Sequence, residues 1–291
     1  MLCIFYSGIT MSKLLLLTVV FILNVSAFSL FEEKPSPTHE RIVYLDSLKD
    51  LIVATQKTRG LTNNFMNGNV VAQLLIYNER SEMKKALARL KSQKLVVDAT
   101  TQQEIAILQK ELKHLNKKAF KQQSAEVFQN YTKLIQKMLT VGDTISQTTF
   151  SQSDTLTQKS VQLMMGTILP LTEEIGKTRG MGSGIVARGN ALKEENIYMK
   201  NYVARAEYFM QQLLNETQTI TQNQPNYYPA GVMAKVQQLN TKVEAYLTLT
   251  QSKVINQKEI ELDTNKYFDQ GTALISSAVA IYTINKDTLS K

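Results

Sequence analysis

Residues with distinctive chemistry are scarce here: 291 residues include one cysteine, no tryptophan, two histidines and five prolines. Each scarcity excludes something. One cysteine allows no internal disulfide, and Cys3 does not follow the apolar N-terminal run where a lipoprotein cysteine would stand. His39 and His114 are far apart and fit no metal-ligand spacing, so no metal site is expected. His114, between Lys113 and Leu115 and off the apolar seam, reads as a solvated helix residue. Five prolines and 12 glycines are few for an all-β chain with its many turns. No Walker loop, nucleophile elbow or dinucleotide fingerprint occurs. Met181-Gly182-Ser183-Gly184 falls mid-helix rather than after a strand. Glu173-Glu174 and Glu194-Glu195 are adjacent pairs, which do not face one another on a helix. Met164-Met165 reads as core filling. Neither catalysis nor a cofactor is expected.

Long hydrophobic runs are also few. Leu14 to Ala27 follows Lys13 and ends in Val25-Ser26-Ala27, small residues of the kind signal peptidase reads. Fourteen residues (14–27) fall short of the roughly 20 that span a bilayer. Residues 1–27 therefore read as a cleaved signal peptide, with Met1 or Met11 as the start, and a retained N-terminal anchor as the alternative. The expected location is the periplasm or the exterior. Removing Lys13 with the signal takes the formal net charge from +8 to +7. The remaining Lys and Arg are spread along helices with acids between them, so nucleic acid is not an expected partner; the charge gives a mild attraction for anions.

What remains is long, breaker-poor and periodic. Residues 28–38, with Pro35-Ser36-Pro37, read as an extended lead-in. A helix is expected from His39 to Asn78, and another from the capping box Thr101-Gln102-Gln103-Glu104. Val127, Tyr131, Leu134, Met138, Val141 and Ile145 step by four and three, the seam of a helical bundle. A polar joint at 146–153 precedes a helix from Asp154 to Arg188, kinked or broken near Pro170. Helices follow from Lys193, from near Pro229, and from Thr264 with Asp263 as cap. The expected fold is all-α: two antiparallel helical bundles sharing or joining long helices, with halves at about 39–150 and 154–288.

Lys57-Thr58-Arg59-Gly60 returns letter for letter as Lys177-Thr178-Arg179-Gly180, 120 positions on (179 − 59). Glycine inside a helix costs about 1 kcal/mol relative to alanine. Gly60 and Gly180 thus point to close helix packing, and each neighbouring arginine offers a planar fork suited to a small oxyanion. Packing alone stays open beside the anion site: the arginines would then pair with glutamates or cap carbonyls. The run Gly180–Gly184 suits a crossing point or a hinge.

These residues resemble the nitrate- and nitrite-sensing domain family. Gln56-Lys57-Thr58-Arg59-Gly60-Leu61 resembles its first signature, Gln-x-Glu-Arg-Gly-x. Ile175-Gly176-Lys177-Thr178-Arg179-Gly180-Met181 resembles the second, Ala-Gly-x-Glu-Arg-Gly. Tyr227-Tyr228-Pro229 through Val236 resembles a third stretch, in which Lys235 stands where the family has arginine. The likeness covers about residues 40–285. It implies two antiparallel (up-down) four-helix bundles joined through long helices and a nitrate or nitrite ion held by Arg59, Arg179 and Lys235, with Lys57 as a stand-in for a second basic residue beside Arg59; with the N-terminal run, this makes the chain an exported sensor. Thr58 and Thr178 replace the family glutamates, and Lys235 lacks the bidentate fork, which bears on the preferred anion. Family members carry an output module; none is expected after the last helix, so the chain would report to a separate signalling or membrane protein, with a homodimer also allowed. The competing reading is an adaptor bundle that docks a partner helix and binds no ion.

Overall fold

The computed structural model describes residues 37–93 and 97–290, where it is all-α; no strand occurs among the described residues. The expected signal peptide lies outside them, as does the lead-in up to residue 36. The helices are α1 (Pro37–Met66), α2 (Ala72–Ser92), α3 (Ala99–Lys118), α4 (Ser124–Thr149), α5 (Thr155–Gln162), α6 (Leu169–Arg188), α7 (Lys193–Asn223), α8 (Val232–Lys253) and α9 (Thr264–Leu289). A 3-10 turn, Ala119–Lys121, separates α3 from α4, and a π-helical turn, Leu163–Ile168, joins α5 to α6.

In the first run α1 packs on α2 and α4, and α3 on α4. In the second, α6 packs on α7 and α9, α7 on α8, and α8 on α9. The two runs meet where α1 lies along α6, and most buried apolar side chains of both form one core, with a smaller cluster of Leu61, Ala72, Ile76 and Phe268 beside it. The seam from Val127 to Ile145 is buried throughout, as the four-three spacing requires. α9 repeats that seam 140 positions on (264 − 124): every buried position of α9, from Tyr267 to Asn285, has a buried counterpart in α4.

Several element boundaries differ from the sequence reading. The first helix starts at Pro37, so residues 37–38 of the expected lead-in 28–38 are helical, and α4 runs to Thr149, into the expected joint at 146–153. The helix expected from His39 to Asn78 stops at Met66, because Gly68 takes φ +114° in a turn, after which α2 starts afresh at Ala72. The cap of α3 is Asp98, whose carboxylate accepts from the Thr101 amide at 2.9 Å and the Thr101 hydroxyl at 2.8 Å. Thr101 is thus the third helical residue and not the cap. Near Pro170, where a kink or break was expected, the α-helical pattern is interrupted by the π turn and the chain stays helical. Proline offers no amide and crowds the carbonyl four residues back, and the backbone widens into the π turn just before it.

Asp263 caps α9 as expected, accepting from the Lys266 amide at 2.9 Å. Asp263→Ala should lower stability by about 1 kcal/mol, a modest fall in thermal midpoint; an unchanged midpoint would show that α9 is held by packing alone.

Candidate functional site

The repeated tetrapeptides fall at the same height on α1 and α6, which run parallel where they touch. A Cβ built on Gly180 would lie 3.1 Å from the Gly60 Cα, and one on Gly60 would lie 3.4 Å from the Gly180 Cα. Asn63 then donates to the Gly180 carbonyl at 2.8 Å, and further along Arg188 reaches Asn67 at 2.9 Å. Contacts advance together along both helices, so the crossing is parallel and centred on the two glycines. Gly184 continues it, since a Cβ there would strike the Asn63 amide at 2.2 Å, while one at Gly182 would strike the Tyr267 hydroxyl of α9 at 2.4 Å.

This crossing brings Arg59 and Arg179 into the core, 0 % and 1 % exposed. Their surroundings repeat. The Arg59 guanidinium lies over the Phe128 ring, 4.9 Å from its centroid, and Nη1 donates to the Thr132 hydroxyl at 2.9 Å. The Arg179 guanidinium lies over the Phe268 ring at 4.6 Å, and Nη1 donates to the Thr272 hydroxyl at 3.0 Å. Both threonines donate in turn to the carbonyl of the phenylalanine one turn back, at 2.9 Å each. Arg59 therefore turns towards α4, and Arg179 towards α9, from opposite members of the central pair. An arginine face stacked on an aromatic ring keeps its edge donors free for anions.

The repeat fails at one partner. Arg59 holds Glu173 in a two-point grip, Nη1 to Oε1 at 2.6 Å and Nη2 to Oε2 at 3.1 Å. Arg179 receives no carboxylate among the described residues. Besides Thr272 it donates only to the Gln56 carbonyl, at 3.2 Å. Glu173 precedes Arg179 by six positions, and the residue six before Arg59 is Val53. A buried charge without a counter-charge is costly. Burial accordingly pulls the Arg179 pKa down to about 10, with the Arg59 charge adding to the fall and Tyr246 opposing it. Arg179 remains cationic at neutral pH. The Glu173 carboxyl is pushed up by burial, against the pull of Arg59 and Lys177. The Nε of each arginine has no hydrogen-bond partner among the described residues.

The other basic residues singled out in the sequence stand elsewhere. Lys57 pairs with Glu79 of α2 at 2.5 Å, its side chain 36 % exposed. Lys235 is exposed in the first turn of α8, about 16 Å along the helix axis from Tyr246, which flanks Arg179. The structure therefore assembles Arg59 and Arg179 but not Lys235, because the α8 positions that turn inward are Val232, Val236 and Leu239. Thr58 and Thr178, in place of the family glutamates, are fully buried, and Thr178 bonds the Glu174 carbonyl at 2.9 Å.

Sequence reasoning missed Phe128, Thr132, Phe268, Thr272 and Glu173. A signal for the first four was present: Phe-x-x-x-Thr recurs 140 positions apart (268 − 128), in the same order as the arginine repeat. Glu173 was set aside with Glu174 as adjacent carboxylates. They do point apart, Glu173 to Arg59 and Glu174 to Lys177 at 2.6 Å and Arg205 at 2.7 Å. The described residues hold no group of three or more His, Cys, Asp or Glu positioned for a metal ion.

The model of the family described as nitrate and nitrite sensing matches residues 50–281, a span that includes both arginine motifs and both Phe-x-x-x-Thr pairs. The solved structure of the NasR transcription antiterminator superposes with a TM-score of 0.69 at 14% identity, over 93% of this chain and 73% of that one, a likeness of fold. No curated protein matches.

Proposed function

The chain belongs to the nitrate and nitrite sensing family, a sensor family and not an enzyme family, and on that premise we propose that it is an exported receptor whose oxyanion is held at the Arg59–Arg179 crossing. The observation that carries this reading is Arg179: a buried guanidinium, stacked on Phe268, that among the described residues donates to the Thr272 hydroxyl and the Gln56 carbonyl and to no carboxylate. A small planar oxyanion supplies the charge and the paired acceptors that this fork lacks. The Tyr246 phenol, beside Arg179, is a further donor for it. The apolar N-terminal run after Lys13 supports export. Among the described residues no helix is long and apolar enough to cross a membrane. We assign the relay of the signal to a separate protein.

Thermal unfolding of the chain from residue 28 with nitrate, nitrite, chloride and sulfate tests the reading. Nitrate or nitrite at a hundredfold excess over its dissociation constant should add about 2.7 kcal/mol. Arg179→Ala should abolish that gain. Arg179→Lys should keep part of it, since charge survives and the planar fork does not. A gain that persists in Arg179→Ala would remove this residue from the site.

A second reading, an adaptor that docks a partner helix and binds no ion, is favoured by the exposed Val70, Val71, Leu74, Leu75 and Tyr77 at the α1–α2 turn and the start of α2. The absence of any shift with all four anions at millimolar concentration would select it.

A further inference from the structure

The feature that the family reading leaves unexplained is the broken repeat, in which one arginine has a carboxylate partner and its twin has none. We propose that Glu173 is a built-in competitor for the oxyanion site: its carboxylate holds the Arg59 fork, and an anion that engages this fork must displace it. This rests on the anion-binding reading above and adds a gate to it.

Geometry supports the assignment in three ways. The two-point grip of Glu173 on Arg59 is the arrangement a planar oxyanion would adopt on the same fork. The position equivalent to Glu173 in the first half is Val53, an apolar residue that can neither pair with an arginine nor compete with an anion. Glu173 also lines a cavity of about 280 Å³ between α4, the π turn, α6 and α7, shared with Gly166, Pro170, Glu174 and Arg205. Arg205, on α7, has a side chain 58 % exposed while it pairs with buried Glu174. The cavity therefore joins solvent to the back of Glu173, a path by which water and protons reach that carboxylate; Asp143 also lines it, and Arg205 offsets the charge of Glu174. Its wall is the π turn, an irregularity that is frequent at functional sites.

Displacement is eased when Glu173 takes up a proton, because the neutral acid no longer competes for Arg59. Burial already raises that carboxyl. The charged and titratable groups around it are Arg59 on α1, Asp143 on α4, Glu174, Lys177 and Arg179 on α6, and Tyr202 and Arg205 on α7. Proton and anion uptake should thus reinforce one another, so nitrate affinity rises as pH falls. Nitrate itself stays ionised throughout.

Calorimetric titration of nitrate into the chain from residue 28, between about pH 5 and pH 8, decides the matter. Glu173→Gln keeps the shape and loses the charge. It should bind nitrate roughly tenfold or more tightly than the natural chain at neutral pH, and its affinity should be flat with pH. Glu174→Gln, next door, should retain the natural pH response. Equal or weaker binding by folded Glu173→Gln, beside a natural chain that binds, overturns the gate and leaves the anion reading standing. If Glu173→Gln does not fold, a pH-independent affinity in the natural chain and in Glu174→Gln overturns it instead. If neither the natural chain nor Glu173→Gln binds nitrate at any pH, the anion reading fails and the gate with it.

Discussion

Arg59→Ala is expected to destabilise the fold by about 3–5 kcal/mol at neutral pH, read from urea unfolding. The change removes a cation stacked on Phe128 and leaves the Glu173 carboxylate, 3 % exposed, without its partner. Its pH dependence has a definite sign. Without Arg59 the Glu173 carboxyl rises further above its unfolded value, so the folded state takes up the proton more readily than the unfolded chain. The penalty should therefore shrink as pH falls. Arg59→Ala combined with Glu173→Gln should recover a substantial part of the loss. A double variant no more stable than Arg59→Ala would show that the pair is not what the substitution breaks. Arg179→Ala strands no carboxylate and should cost distinctly less, although its sequence context is identical.

Gly180→Val should be almost as damaging for a different reason. Even its Cβ would lie 3.1 Å from the Gly60 Cα and 3.0 Å from the Phe128 ring, and the first of these neighbours is backbone. α1 and α6 must then separate along the crossing that holds both arginines in the core. Overpacking of this kind costs about 1–3 kcal/mol, and the separation should also abolish any anion-dependent gain in stability. Gly60→Ala meets the Phe268 ring edge at 2.9 Å and the Gly180 Cα at 3.4 Å, and a ring can shift. Its effect should be smaller, offset by a gain of about 1 kcal/mol in helix propensity. Thermal midpoints of the two variants check the order; a Gly180→Val midpoint equal to that of the natural chain would show that the helices part without cost.

The helices were legible because burial in this chain follows strict spacing. The seam from Val127 to Ile145 and the inward face Val236, Leu239, Val243 and Tyr246 are buried as their periodicity requires. Boundaries were less legible where one residue type serves two purposes. Gly68 and Gly60 look alike in sequence, yet one ends a helix at positive φ and the other makes a helix crossing. Asp98 and Thr101 can each cap, and the earlier residue captures the amide. At the site, the arginine–glycine repeat was readable because it is literal. Glu173 was not, because its role depends on which helix α6 lies against, and a carboxylate beside another carboxylate gives no hint of that partner. Lys235 was assigned by likeness to a motif; its position on the outer face of α8 depends on a helical phase that the motif does not specify.

The mismatch between Glu173 and Val53 has a consequence for how such a protein can change over generations. Two identical half-chains associating around a dyad would carry each substitution twice, so a carboxylate placed on one arginine would be placed on both. Covalent linkage of the two halves lifts that constraint. One arginine can keep an internal counter-ion that a ligand must displace while the other keeps an unpaired charge, and each is then free to change without altering its twin.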